Sequence, residues 1–400
     1  MNDPVTRCYR AAAVQPADGP SHRPGTVVWR DQAVAWVGPT AEEPPDLVQS
    51  AAVIDLPDRL LLPGMVNAHA HLELTAIGPR PYPGDFLGWV RMLREHWPGE
   101  GDPWSRVPDE SWFADAARRG AAMSLAAGVT AVGDICRSND SIAAQREAGL
   151  GGIGYLELFG MGPPWDAPAL ARLTQAAEGL QPHAPYSAGP RLFDAAARSG
   201  KPVCTHLAET RDELEFIADC RGPFRAFLER IGKWDDAFAA SYQRGLSPVR
   251  WMRPYLEQTR WLVAHGNYLS DADIALLAET GTSVAYCPIA SEYFGHAGHR
   301  YRDLHDAGVN VCLGTDSIVC QPADEVQPLG ILPQMRRLYE RDRTDPALLL
   351  KMATTHGRHA LGLPQPDAVF YAVRLDPADP TDPLIQVLTN SNPMEPLPDA

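Results

Sequence analysis

Two histidines one residue apart, His69 and His71 in "LLPGMVNAHAHLELT", are the first residues whose spacing could do chemistry. An apolar run precedes them. On a strand, residues i and i+2 share a face, so both imidazoles point the same way. That arrangement suits two ligands on one metal ion. His183, His206, His265 and Asp316 follow at the ends of later apolar runs, with Glu209 three residues after His206. Singly, each signal is weak: a lone histidine at a strand end is more often a hydrogen-bonded structural residue, and H-x-H also occurs by chance. The recurrence of His or Asp at run after run is what points to a metal centre. The pairs His296/His299 and His356/His359 have the i, i+3 spacing of helix neighbours and read as surface or loop packing. "HLE" at 71–73 matches the H-x-E half of a zinc deaminase signature, but no P-C-x-x-C follows, and that fold is rejected.

The elements that must hold these residues are short buried runs alternating with amphipathic segments. The runs are "LLPGMVNAH", "GVTAVGDI", "GIGYLELFG", "LQPHAPYS", "PVCTHLAE", "WLVAHGNYL", "TSVAYCPIA" and "NVCLGTDS". Between them lie helix-like stretches such as "PRLFDAAARSG" and "SDADIALLAETG", several closed by glycine. Eight strand–helix units predict a (β/α)8 TIM barrel of the α/β class, with its site at the C-terminal ends of the strands. On that reading the barrel occupies 61–363. Residues 1–60 hold β-like pieces, and the tail from 364 to 400 is β-like again, so both chain ends are expected to join in one small β domain. The segments 76–108 and 211–255 are longer than connectors need to be and are expected to shape a pocket.

Composition narrows the classes. With 400 residues, 45% of them hydrophobic, the chain can bury a large core. A net charge of −15 argues against a nucleic-acid or membrane-surface partner, and no apolar run is long enough to span a bilayer. The start, "MNDPVTRCYRAAAVQPADGP", is polar and proline-broken, unlike a signal peptide. Seven scattered cysteines fit reduced thiols in a cytoplasm better than a disulfide framework.

The motifs "PGMVNAHAHLE", "HAPYS", "THLAET", "AHGNYLS", "CPIASEYFG" and "LGTDS" resemble, in order and spacing, the amidohydrolase superfamily. They are most similar to its cytosine/guanine/nucleoside deaminase and triazine hydrolase branch. The resemblance covers roughly residues 25 to 375 and implies a composite β-sandwich built from both chain ends beside the barrel. It makes His69, His71, His206 and Asp316 ligands of one divalent metal, His265 the residue that holds the attacking water and orients it together with Asp316, and Glu209 the proton shuttle. Glu73, Trp89 and His183 are the implied substrate contacts. Binuclear relatives carry a bridging lysine at the end of strand four. The only lysines here are Lys201, Lys233 and Lys351, none at that place, so one metal per chain is expected. Zinc suits three imidazoles, a carboxylate and an open position; iron serves some relatives with similar ligation.

The implied reaction is hydrolytic deamination of an amino-substituted heteroaromatic ring, with a small molecule as partner and a homodimer left open. Loss of another group, such as chloride from a triazine, or deamination of guanine or cytosine, is the alternative. A catalytically inert scaffold is disfavoured because every ligand position is filled. The pocket departs from relatives: Tyr286 stands where many have His, Ile289-Ala290 where many have Arg-Ser, and Gly88 where an acidic residue often precedes the Trp. "YCPIASEYFGH" and "DFLGWV" most resemble deaminases of adenine nucleosides with a bulky 5′ substituent, first those of aminodeoxyfutalosine in the menaquinone pathway, then those of methylthioadenosine and S-adenosylhomocysteine. Trp89, Tyr186 and Phe294 could stack on the ring, and Arg80 or Arg91 could meet a distal carboxylate.

Overall fold

The structure, a computed structural model, describes residues 6–30, 33–162, 165–234, 236–239, 242, 244–364 and 369–398. Strands β1 (Thr6–Val14), β2 (Gly25–Arg30), β3 (Ala33–Pro39) and β4 (Ala52–Pro63) open the chain. The barrel strands are β5 (Met65–Ala70), β6 (Val129–Cys136), β7 (Gly151–Leu158), β8 (Gly179–Pro182), β9 (Val203–Leu207), β10 (Trp261–His265), β11 (Ser283–Tyr286) and β12 (Val311–Leu313). The chain ends with β13 (Phe370–Arg374) and β14 (Met394–Pro396).

The two chain ends do meet. β13 pairs antiparallel with β4 and β14 with β13, giving one six-stranded sheet in the order β14-β13-β4-β1-β2-β3. Its apolar cluster draws Tyr9, Val27, Leu61 and Phe370 from four strands. Three details differ from the sequence-based expectation. β1, in "TRCYRAAAV", is an unforeseen strand, and it lies inside the sheet. Leu61–Pro63 belong to β4 and not to the first barrel strand, so the switch falls at Gly64. "PLIQVLT" in the β-like tail is a helix, Pro383–Thr389. Its β-branched residues mislead, whereas Asp382 accepts from the Leu384 and Ile385 N–H groups and Pro383 starts the first turn, both strong helix-start signals. Asp367 and Ala368 of that tail lie outside the described residues.

The eight barrel strands are parallel neighbours in chain order from β5 to β12. Val66, Ala68, Ala131, Tyr155, Cys204, Leu262, Ala285 and Cys312 share one buried cluster drawn from seven of the strands, which fills the barrel interior. The seam between β5 and β12 is closed by the residues just past β12. Thr315 N and Asp316 N donate to His69 O at 3.1 and 3.0 Å, and His71 N donates to Asp316 O at 3.2 Å. Asn67 and Thr315 add a reciprocal pair, Nδ2 to Oγ1 at 2.7 Å and N to Oδ1 at 3.1 Å. Gly314 permits this approach, since a Cβ there would sit 2.8 Å from His69 O. Both long segments carry helices: Phe86–Glu95 in the first, which is otherwise mostly irregular, and Arg211–Asp219, Pro223–Arg230 and Pro248–Leu256 in the second.

Candidate active site

Simple strand alternation would send the first two histidines the wrong way. Val66 and Ala68 belong to the interior cluster, so residues 69 and 71 should face the outer helices. The pairing of β5 with β6 shifts register between Asn67 and Ala70. This bulge resets the alternation and turns both imidazoles inward together. His265 needs a similar correction. Leu262 is interior and Val263 faces the larger outer core, so position 265 has outward parity. A backbone φ of 75° at His265 swings its ring back over the barrel. Asp316 (φ 59°) and Ala208 (φ 51°) are also left-handed, an uncommon state for residues with a side chain.

The result is a compact cradle. One ligating atom from each of His69, His71 and His206 lies within 4.8 Å of the others. His71 Nε2 is 3.2 Å from His206 Nε2 and 3.6 Å from Asp316 Oδ1. The His265 ring centroid is 5.3 Å from that of His69, and the His183 centroid 4.8 Å from that of His206. Burial, reinforced by the neighbouring rings, holds His69, His71, His183 and His265 well below the usual imidazole range, and burial takes His206 to about 4. All five are therefore neutral at pH 7, the state in which His69, His71 and His206 can act as ligand donors.

These residues fit a metal on two observations. His69 Nε2 is buried and has no hydrogen-bond partner. His71 and His206 also point ring nitrogens at each other, an arrangement that needs a cation or a proton between the lone pairs. A divalent ion relieves both. Burial alone pushes Asp316 up to about 7, and such an ion would restore its carboxylate. Gln181 supports the set: its amide lies 3.3 Å from His206 Nδ1, and its Oε1 has no other partner. Turned over, that amide would accept Nδ1–H and orient the ring.

Glu209 stands beside the cradle, its Oε1 3.6 Å from His265 Nε2. Burial raises its carboxyl well above the usual range, Asp316 and Glu213 add to the shift, and the nearby Tyr186 hydroxyl opposes it. Its backbone is clamped by a residue that sequence reasoning missed. Glu213 accepts from Ala208 N at 2.9 Å and Glu209 N at 2.8 Å, and Thr210 Oγ1 caps Glu213 N at 3.1 Å. The visible signal was the T-x-x-E capping pattern of "TRDE"; what it could not tell is that the glutamate reaches past the cap to residues 208 and 209. Asn267 Nδ2 donates to Glu209 O at 3.0 Å. His299 Nε2 bonds His265 O at 2.8 Å while its ring stacks on Tyr286, centroids 3.6 Å apart. His299 is thus a packing residue, as expected, and one that braces the strained His265.

The remaining candidates fall around this centre. His183 is held by Ser187 Oγ at 2.5 Å from Nδ1 and stacks on Phe159. Trp89 packs edge-on against Phe294, centroids 5.1 Å apart, and its buried indole N–H interacts with the Tyr293 hydroxyl. Tyr186 stacks face to face on Phe224 at 3.9 Å, which leaves that face of its ring already covered. Glu73 is engaged differently from the implied substrate contact. Its Oε1 accepts Arg137 N at 2.7 Å and so braces the turn after β6.

Residues 60–366 match the amidohydrolase family. The chain is 30% identical over 379 residues to a 5-methylthioadenosine/S-adenosylhomocysteine deaminase of Moorella thermoacetica, covering 88% of this chain and 79% of the relative. It is 29% identical over 314 residues to a deaminase of the same description from Symbiobacterium thermophilum, covering 73% of this chain and 64% of that relative, just under two thirds of its length. Helicobacter pylori aminofutalosine deaminase in complex with methylthio-coformycin superposes with a TM-score of 0.78 at 18% identity, covering 97% of each chain, a likeness of fold. The barrel, the bulged H-x-H strand and the match over residues 60–366 together mean that this chain belongs to the amidohydrolase family.

Proposed function

We propose that the protein hydrolytically deaminates the 6-amino group of an adenine nucleoside carrying a 5′ substituent, releasing ammonia. The observation that carries this reading is the Glu209 carboxyl, buried, drawn toward its protonated form and 3.6 Å from His265 at the edge of the histidine cradle. An amino group leaves a ring carbon only when an acid has protonated it, so a placed proton carrier serves deamination more than it serves loss of chloride from a triazine, which leaves as the anion. The names of the two sequence relatives support the nucleoside class.

His69, His71, His206 and Asp316 would hold one divalent ion, zinc by the chemistry of the donor set. When bound, such an ion lowers the pKa of water and supplies hydroxide near neutral pH. His265 Nε2 orients the attacking water by hydrogen bonding. Glu209 accepts a proton from that water and delivers it to the ring nitrogen beside the amino-bearing carbon. The carbon gains the water oxygen, the second proton of that water passes to the amino group, the C–N bond breaks, and ammonia leaves behind a ring carbonyl and a protonated ring nitrogen. His183 contacts the ring, while Trp89, Phe86 and Phe294 exclude water from it. We assign this chemistry to the barrel and a supporting role to the six-stranded sheet. No helix among the described residues is long and apolar enough to cross a membrane. All seven cysteines are free, six of them buried, which supports a reducing cytoplasm.

The test is a panel of adenosine, methylthioadenosine, S-adenosylhomocysteine, aminodeoxyfutalosine, guanine, cytosine and a chlorotriazine, followed by ammonia release and the adenine-to-hypoxanthine absorbance change. At least one adenine nucleoside should be turned over well ahead of the others. Turnover of guanine, cytosine or the triazine alone would overturn the nucleoside assignment.

A further inference from the structure

The groups assigned to the chemistry are nearly sealed. Glu209 is 5% exposed, and His265 and Asp316 are 3% exposed each. A ring has to lie against Glu209 and His265 to react, and an opening that uncovers so little of either does not admit one. The cover is aromatic. The Tyr186 hydroxyl stands near the Glu209 carboxyl, and Phe86 meets Tyr186 edge to face with centroids 6.4 Å apart. Trp89 and Tyr82 close on Phe294 at 5.1 and 5.3 Å. Phe86, Trp89 and Tyr82 all come from the first long segment.

That segment keeps its polar bonds to itself. Arg80 Nε bonds His96 Nε2 at 3.0 Å, and Arg91 pairs with Glu95 at 2.9 Å. Arg94 donates to Pro103 O at 3.1 Å and Trp104 O at 2.9 Å, and Arg106 to Glu95 O at 2.8 Å and Trp97 O at 3.2 Å. These bonds staple residues 79–106 into one body. Among the described residues a single backbone hydrogen bond leaves it, Arg80 N to Val319 O at 3.2 Å. Its other contacts with the rest of the chain are mostly rings and cations. Arg137 lies over Trp97 at 5.6 Å, Trp104 meets Phe227 at 4.8 Å, and the Trp89 indole N–H faces the Tyr293 hydroxyl. Pro79 and Tyr82 line a cleft of about 500 Å³ with Tyr293 and Cys320, so that edge is not packed down. The body hangs between Gly78 and Val107. Gly78 is left-handed at φ 70° with no atom within 4 Å of where a Cβ would stand, and Val107 is 74% exposed.

We propose that residues 79–106 are a lid, closed in this structure, that lifts about Gly78 and Val107 to admit the substrate, and that Tyr293 is the positioning residue that latches it through Trp89. Two needs oppose each other at this site: proton transfer at Glu209 requires water to be kept out, and the substrate has to get in. A body whose polar groups are satisfied internally moves without leaving buried donors unpaired. Opening then costs one backbone bond and the contacts of the aromatic face, whichever ring is deaminated.

The experiment bolts the lid shut. Residues joined by a backbone hydrogen bond are within reach of a disulfide, so Arg80→Cys and Val319→Cys are combined with Cys220→Ser, which removes the one native thiol that is not buried. Oxidised glutathione makes the bridge, a phosphine reductant opens it, and intact mass confirms each state. Oxidation of the metal-loaded protein should lower deamination at least about tenfold against its own reduced form, and slow the stripping of metal by a chelator as much, since both require opening. A bridged protein that turns over at the reduced rate, or loses metal no more slowly, overturns the lid. Tyr293→Phe keeps the ring and drops the hydroxyl. It should speed metal stripping and hydrogen exchange of the Arg80 amide by about threefold to tenfold, the size of one hydrogen bond, while amides inside the helix Phe86–Glu95 keep their rates. Unchanged rates remove Tyr293 as the latch, and together with a bridge that never forms they overturn the lid as well. If no ring is deaminated, the functional reading falls, and the stripping and exchange rates still decide the lid.

Discussion

The mouth of the barrel and the six-stranded sheet are built from the same chain on opposite terms. Among the described residues, five that are not glycine have a left-handed backbone: Ala208, Cys220, His265, Asp316 and Arg343. Cys220 and Arg343 end helices, where that state is ordinary. The other three all stand at the cradle. The sheet has none among its described residues, and the half-buried acid just beyond β3, Glu43, is paired bidentately with Arg10 of β1 at 2.9 and 2.7 Å. The mouth instead buries histidines and carboxyls whose protonation is displaced by burial, and leaves His69 Nε2 without a partner. The sheet is arranged so that its groups are satisfied within the fold. The mouth is satisfied only by something added to it, and strain there is part of a working site.

The sharpest way to break that contrast is to remove a cradle ligand. His69→Ala or Asp316→Ala should abolish activity and metal binding together, where the wild type carries one metal per chain by elemental analysis. Two metals per chain in the wild type, or an active His69→Ala protein, would contradict the cradle. Glu209→Gln comes next. It should keep its metal and lose roughly 10²-fold or more in kcat, because the proton carrier is gone. Normal turnover would remove Glu209 from that role. Glu213→Gln should retain metal yet lower kcat by roughly tenfold to a hundredfold, because a misplaced reacting group is costly. It should also destabilise by about 1–3 kcal/mol, since Gln leaves one of two buried N–H groups unsatisfied; denaturant melts and steady-state kinetics read the two effects separately.

The smallest effect belongs to the sheet. Glu43→Gln should leave kcat untouched and cost about 1 kcal/mol or less at pH 7, because Arg10 is more than a third exposed and solvent screens the pair. The hydrogen bond from Arg10 holds the Glu43 carboxyl below its usual 4.5. The stabilisation is therefore complete above about pH 4.5 and is lost as pH falls through the depressed value. Melts of wild type and variant should converge in acid and separate toward neutrality.

How much of this was legible in the sequence depends on which force decides each part. The eight buried runs of the barrel and the H-x-H, His206, His265 and Asp316 positions could be read because burial and strand ends leave a pattern in residue type. The bulge between Asn67 and Ala70 and the left-handed His265 could not, because both are settled by how neighbouring strands pair. The shared face expected for His69 and His71 thus follows from a simpler route than the one the chain uses to turn both inward. β1 went unseen because "TRCYRAAAV" lacks clean alternation and is made a strand by pairing with β2 and β4 on either side. The helix 383–389 went unseen because its apolar, β-branched interior outweighed the Asp382-Pro383 start. His299 could be read as a packing residue, but its partner could not, since the bond to His265 O joins a loop to the end of β10 across 34 residues of sequence.

The seam between β5 and β12 has a thermodynamic consequence. The hydrogen bonds that close the barrel run through His69, His71 and Asp316, so the residues that would grip an ion also join the first barrel strand to the last. Occupancy and cohesion are then linked by mass action. An ion held at a hundred times its dissociation constant adds about 2.7 kcal/mol to the folded state, and a chelator withdraws the same amount. Opening of the ring would start at this seam, and backbone amides 69–71 and 315–316 would trade hydrogen for deuterium faster in chelator than the amides of β9 and β10 across the barrel.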